Sequence, residues 1–262
     1  MITRLSFAGL VVTLAMVPPI ASARTSDIKL LSAIGMRQVM LELGPTFERT
    51  TGHTLSMSFD STGVIAKRVA SGEQVDVVLI NESALGALVK DAQVTASSVT
   101  PVAAAVAAVA VRSGAPTPDI STPQLFKRML LAAKSIARPS PAVGGSSGDH
   151  IVKVLAQLGI TDEVNAKSVI VMTGLAGQIA DSPGEAVAQG KADVALHQLQ
   201  ELMAVAGLQI VGPFPGTLQG NFTFAAAIGT KAANVSGATA LIRFLQTAAA
   251  KAVISVKGME PR

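Results

Sequence analysis

Residues 28–80 read IKLLSAIGMRQVMLELGPTFERTTGHTLSMSFDSTGVIAKRVASGEQVDVVLI. Ile28–Ala33 has the apolar density of a buried strand, and Met36, Met40, Leu43 and Phe47 then recur at roughly helical spacing, with Gly52 punctuating the end. Leu55, Met57 and Phe59 alternate with polar residues, which is the period of a strand. Ser61-Thr62-Gly63 opens a second helix that runs through Ala70, with Ser61 or Thr62 as its N-cap. Val75–Ile80 reads as a buried parallel strand, Asn81 stands at its carboxyl end, and a helix over Ser83–Lys90 follows. Strands alternating with helices in this way predict an α/β protein built on mostly parallel sheets flanked by helices. Ligands in such sheets bind beyond the carboxyl ends of the strands.

The second half repeats the pattern. Strands are predicted near Ser135–Ala137, over Ser168–Met172, over Ala192–Leu196 and near Phe222–Ala227; helices over Asp149–Leu158, Gly174–Gln189 and Ala238–Ala250. Between the first of these strands and its helix lies SPAVGGSSGDH, residues 140–150. A Gly/Ser loop entering a helix aims unpaired N–H groups, and the positive end of the helix dipole, at whatever lies in front of it, so this end favours an anion. His150 falls in the first turn of that helix, and His197 closes the strand over Ala192–Leu196, in a chain with three histidines. The residues gathered at strand ends are Ser32 to Arg37, Ser61, Thr62, Asn81, Gly144 to His150 (including Ser146 and Ser147), Thr173 and His197. They are polar and almost uncharged. Arg37 and Arg138, just past the first and fifth strands, are candidates for pairing with carboxylates. Structural roles compete with each assignment: Ser61 and Thr62 can be caps, His197 a core residue, Arg37 and Arg138 surface charges, while Met36 and Met40 are core and His53 a loop residue.

Composition narrows the partners. The chain has 262 residues, no cysteine, no tyrosine and no tryptophan. Disulfides, thiolate chemistry and zinc–sulfur sites are therefore excluded, and the lack of aromatics for stacking disfavours sugars and nucleobases. The net charge of +4 is scattered, without a Lys/Arg stripe, which argues against nucleic acid. Residues 1–23 read as a secretory signal peptide: Arg4, an apolar stretch from about Leu5 to Val17, and Ala21-Ser22-Ala23 as the cleavage motif. The apolar stretch Val99–Val111 is too short for a membrane span. The mature protein is thus expected to be periplasmic, without membrane insertion.

Residues 28–80, with GGSSGDHIVKVLAQLGI, ADVALHQLQEL and the KGMEP ending, resemble the periplasmic molybdate-binding proteins, a branch of the type II solute-binding fold. The resemblance covers nearly the whole mature chain. It implies two α/β lobes, 24–108 plus 222–262 and 109–221, with the ligand in the cleft between them. It also implies that Gly35 stands where those proteins place an oxyanion-contacting serine, that Ser61 or Thr62 supplies the second hydroxyl, and that Asn81 replaces a small residue. Ser147 and Thr173 or Gly174 would give backbone donors, and His197 would replace a tyrosine. One hydroxyl is lost and two imidazoles are gained, so a larger, carboxylate-bearing ligand is expected in place of molybdate. GGSSGDH and KGMEP further resemble a divergent subgroup with aconitate isomerase activity, which interconverts trans- and cis-aconitate. That resemblance implies an allylic proton shift with His150 and His197 as base and acid, or as one base and one carboxylate clamp. Neither a metal nor an organic cofactor is required. The alternative it leaves open is a receptor that hands a small organic anion or molybdate-like oxyanion to a membrane permease.

Overall fold

The chain is described here by a computed structural model over residues 27–172 and 182–262. The residues read as a signal peptide, and Thr173 with Gly174, lie outside the described residues. The opening pattern forms as predicted: β1 (Ile28–Ala33), α1 (Arg37–Thr51), β2 (Leu55–Asp60), α2 (Thr62–Ala70), β3 (Val77–Asn81) and α3 (Glu82–Lys90). Met36, at the cap just before α1, and Met40, Leu43 and Phe47 on its inner side are all buried, and Gly52 ends that helix in the left-handed conformation. β1 pairs in parallel with both β2 and β3, so their carboxyl ends open on one side.

The middle of the chain supplies β4 (Thr100–Arg112), α4 (Pro123–Ala132), β5 (Ile136–Pro139), α5 (Ser146–Leu158), α6 (Thr161–Asn165), β6 (Ser168–Val171), α7 (Pro183–Ala188), β7 (Val194–Gln198), α8 (Leu199–Met203) and β8 (Leu208–Pro213). The chain then returns through β9 (Asn221–Ile228), α9 (Val235–Leu245), α10 (Ala248–Val256) and β10 (Glu260–Pro261). The strands run in the order β2-β1-β3-β9-β4-β7-β5-β6, with β8 and β10 also on β4.

β4 joins two sheet regions. From Thr100 to Val106 it pairs with β9, and from Ala107 to Val111 with β7, both antiparallel. Its Ala/Val sequence is buried almost throughout, as a strand covered on both faces requires. On the far side, β5 lies parallel to β6 and β7, so the second region also opens at its carboxyl ends. Gln219 clamps the crossing: its Oε1 accepts from the Ala107 N–H at 2.9 Å and its Nε2 donates to the Phe214 carbonyl at 3.1 Å.

Several boundaries differ from the sequence reading. Within the described residues, the helix predicted over Gly174–Gln189 is Pro183–Ala188, since Ser182 takes the extended cap position. The strand predicted near Ser135–Ala137 is Ile136–Pro139, which puts Arg138 inside it. The helix predicted over Asp149–Leu158 starts at Ser146, because Gly145 takes the extended cap position and Ser146–Gly148 already wind. The strand predicted over Ala192–Leu196 is shifted to Val194–Gln198, which puts His197 inside it, opposite Ala108. The single helix predicted over Ala238–Ala250 is two helices bent by 63°, since Thr247 caps the second by accepting from the Ala250 N–H.

Candidate functional site

The two sheet regions face each other across a cavity lined by Ala33, Ile34, Gly35, Ser61, Thr62, Asn81 and Phe224 on one side. Pro139, Gly145, Ser146, Ser147, His197, Gln198 and Glu201 line the other. Its volume is about 30 Å³, room for one or two waters, so the walls stand closed on each other. Among the described residues, three hydrogen bonds cross the cleft: Gly63 N–H to the Gly144 carbonyl at 3.1 Å, Ser146 Oγ to Asn81 Oδ1 at 3.1 Å, and Gln200 Nε2 to the Gly35 carbonyl at 3.2 Å. At the first of these a side chain has no space. A Cβ on Gly63 would lie 2.9 Å from Gly144 Cα, and Gly144 itself has φ +67°.

The hydroxyls are held by amide and backbone partners. Thr62 Oγ1 and Ser146 Oγ both donate to Asn81 Oδ1, at 2.8 and 3.1 Å, while Asn81 Nδ2 reaches the Thr223 carbonyl at 3.5 Å. Ser61 caps α2 by accepting from the Val64 N–H at 3.3 Å. Ser147 is buried in the first turn of α5, where the N–H groups of a helix lack intrahelical acceptors. Gly35 is hemmed in: a Cβ there would come within 2.9 Å of the Phe224 ring and 3.1 Å of Gln200 Nε2. The space a serine would need is occupied by residues from both walls.

His197 is buried, and its Nδ1 accepts from the Gln198 N–H at 2.7 Å. Burial holds its pKa down at about 4, so the ring is neutral and carries its proton on Nε2. That Nε2 has no hydrogen-bond partner among the described residues. Glu201, on the first turn of α8, brings Oε1 to 3.4 Å from His197 Nδ1, with 15% of its side chain exposed. Burial pushes its carboxyl up to about 8. Beside them Gln200 Nε2 donates to Gln198 Oε1 at 2.9 Å, and Gln200 Oε1 is buried without a partner among the described residues.

Six of the residues singled out in the sequence thus come together in the cavity wall: Ser61, Thr62, Asn81, Ser146, Ser147 and His197. Three do not. His150 Nε2 lies 3.0 Å from the Leu218 carbonyl, its ring stacked on Phe214 and edge-on to Phe222. Burial lowers its pKa, the bond to Leu218 opposes this and Lys153 reinforces it. One helical turn separates it from Ser147, and that step carries it from the cleft to the segment joining β8 and β9. Arg138 is buried under the sheet edge, where Nε donates to Ser168 Oγ at 3.0 Å and Nη2 to Asn165 Oδ1 at 2.8 Å; burial lowers its pKa. Arg37 lies 5.9 Å from the centre of the Phe59 ring. Thr173 lies outside the described residues. Glu201, Gln198 and Phe224 were missed in the sequence; the H-x-x-x-E spacing of His197 and Glu201 was the one signal for the first.

Parallel strands whose carboxyl ends meet across a cleft, with helix N-termini and hydroxyls in its walls, define a two-lobed α/β protein of the solute-binding fold. A family model for bacterial extracellular solute-binding proteins matches residues 28–260, and the chain belongs to that family. It is 32% identical over 254 residues to an aconitate isomerase from a Pseudomonas species, covering 95% of this chain and 93% of that protein. It is 27% identical to the molybdate-binding protein ModA of Azotobacter vinelandii, over 97% of both. Among solved structures, the periplasmic molybdate-binding protein of Azotobacter vinelandii superposes with a TM-score of 0.72 at 21% identity, over 88% of this chain and 98% of that one. The sulfate-binding protein SubI of Mycobacterium tuberculosis gives 0.71 at 19% identity, over 90% and 87%.

Proposed function

We propose that the protein is a periplasmic isomerase that interconverts trans- and cis-aconitate in the cleft between two lobes, 24–108 plus 222–262 and 109–221. The observation that carries this is the buried imidazole of His197 beside the partly buried carboxyl of Glu201 in the cleft wall. A receptor for a fully ionised oxyanion has no use for a carboxyl in its binding wall, whereas a proton shift requires a group that exchanges protons near neutral pH. The identity to an aconitate isomerase over nearly the whole chain points the same way.

Aconitate has a methylene made acidic by conjugation through the double bond to a carboxylate. The cleft would hold its carboxylates with the N–H groups of the α5 N-terminus around Ser147, with Ser61, Thr62 and Ser146, and with the His197 Nε2–H. Thr62 and Ser146 would have to turn their hydroxyl protons from Asn81 to the ligand. A tricarboxylate exceeds 30 Å³, so the lobes must part to admit it.

The alternative function is a transport receptor for a small organic anion or molybdate-like oxyanion, working with a membrane permease. The cleft-bridging bonds favour it, because a clamp that closes on its cargo needs such contacts. Proton NMR of the purified protein with trans-aconitate in D₂O separates the two. Appearance of cis-aconitate is the expected result; broadened ligand signals without product would establish a receptor. His197→Ala should abolish the conversion, while His150→Ala, remote from the cavity, should keep it within a few-fold.

A further inference from the structure

We propose that Glu201 is the group that carries the proton between the two carbon atoms of the substrate, while His197 serves as a fixed hydrogen-bond donor. This rests on the isomerase function proposed above. The geometry divides the roles. A base needs a free lone pair, and the lone pair of His197 Nδ1 is taken by the Gln198 N–H at 2.7 Å. Its other nitrogen therefore bears hydrogen and lacks an acceptor among the described residues, which suits an oxygen of the substrate. Among the described residues that line the cavity, Glu201 is the only carboxyl.

The step balances without a co-reactant. The Glu201 carboxylate takes a proton from the substrate methylene, and the electron pair of that C–H bond spreads over the allylic system onto a carboxylate as a dienolate. The Nε2–H of His197 meets an oxygen where that charge gathers. The Glu201 carboxylic acid then returns the proton to the former vinyl carbon, the double bond has moved one position, and the enzyme regains its starting state.

Glu201 sits in surroundings that tune it for this. Of the elements packed against α8, β7 contributes His197, held neutral, and β8 contributes no ionisable side chain. On α7, Glu185 accepts from the Ser182 N–H in a capping box, and on β4, Arg112 lies at the Gly190 turn at the strand's far end. No cation faces the carboxyl among the described residues that line the cavity. With its pKa raised to about 8, the carboxylate is a strong base for a carboxyl group yet is still partly ionised at neutral pH.

The test uses the purified protein with Glu201→Gln, which keeps the size and a polar head but cannot take up a proton. Conversion of trans-aconitate should fall about 10²–10⁴-fold. Deuterium uptake into the substrate methylene from D₂O should vanish with it, while aconitate binding by titration calorimetry stays within about tenfold. Turnover or methylene exchange by Glu201→Gln at the wild-type rate would overturn the assignment. The wild-type profile of kcat/KM gives a check free of mutation: it should rise with pH through about 8 as the base ionises, and a flat profile from pH 7 to 9 would also overturn it. Failure of the wild-type protein to convert aconitate at all would instead remove the isomerase function, and this proton carrier with it.

Discussion

His197 and Glu201 are a pair of ionisable groups whose folded states disagree with their unfolded ones in opposite directions, and stability must register that. Glu201 rises from 4.5 to about 8, so the folded protein retains a proton there that the unfolded chain gives up. Such a group stabilises the fold at low pH, and the benefit is lost as pH climbs from 4.5 to 8. His197 falls from 6.5 to about 4, so its burial penalises the fold below 6.5 and stops doing so above it. Between 4.5 and 6.5 the two slopes cancel; between 6.5 and 8 that of Glu201 stands alone. Urea unfolding should therefore show stability declining from pH 6.5 to 8, and Glu201→Gln should flatten that decline. A stability curve that climbs across this window in the wild-type protein would contradict the neutral pairing.

At the scale of elements, one buried side chain ties three of them together. Asp76, just before β3, accepts from the Lys29 N–H of β1 at 2.8 Å and, through its other oxygen, from the Asn234 N–H at the start of α9 at 2.8 Å. Asn234 in turn caps α9 by accepting from the Gly237 N–H at 2.8 Å. Replacing Asp76 by alanine strands two backbone donors in the interior, each at about 1–3 kcal/mol, so Asp76→Ala should lose about 2–6 kcal/mol. Urea denaturation measures this directly, and a loss below about 1 kcal/mol would mean that water reaches those donors. The same logic explains why α5 accepts Gly148 in its first turn. A Cβ there would lie 2.9 Å from the Ser140 carbonyl, so the close packing of helix on loop outweighs the usual helical preference for alanine.

For the whole molecule the decisive contact is that of Gly63 with Gly144, where α2 of one sheet region meets the Gly/Ser loop of the other. Gly63→Ala should leave each region intact, since alanine is the better helix former by about 0.5–1 kcal/mol, yet it should hold the cleft ajar. The expected result is an unchanged or slightly higher Tm, a larger radius of gyration in X-ray scattering, and trans-aconitate binding weakened at least about tenfold, or about 1.4 kcal/mol. Wild-type scattering and affinity together would show that closure does not run through this contact.

Local pattern carried most of the architecture. The 3.6-residue spacing of Met36, Met40, Leu43 and Phe47, the alternation of Leu55, Met57 and Phe59, and the glycine at 52 are set by the neighbours each residue must bury against, so they are written in the chain itself. The Gly/Ser loop before α5 and the polar residues at strand ends were legible for the same reason, and six of them do meet around one cavity, three on each side. The long strand β4 was read only as an apolar stretch, because a strand buried on both faces has no alternation to reveal it. The site's chemistry was decided by tertiary structure. Whether a side chain at a strand end turns into the cleft or away depends on the element packed over it: Phe214, Phe222 and Leu218 claim His150, Asn165 and Ser168 claim Arg138, and the closing of α8 onto β7 brings Glu201 to His197. Burial, which sets the protonation of that pair, is a property of the assembled molecule and of no residue in it.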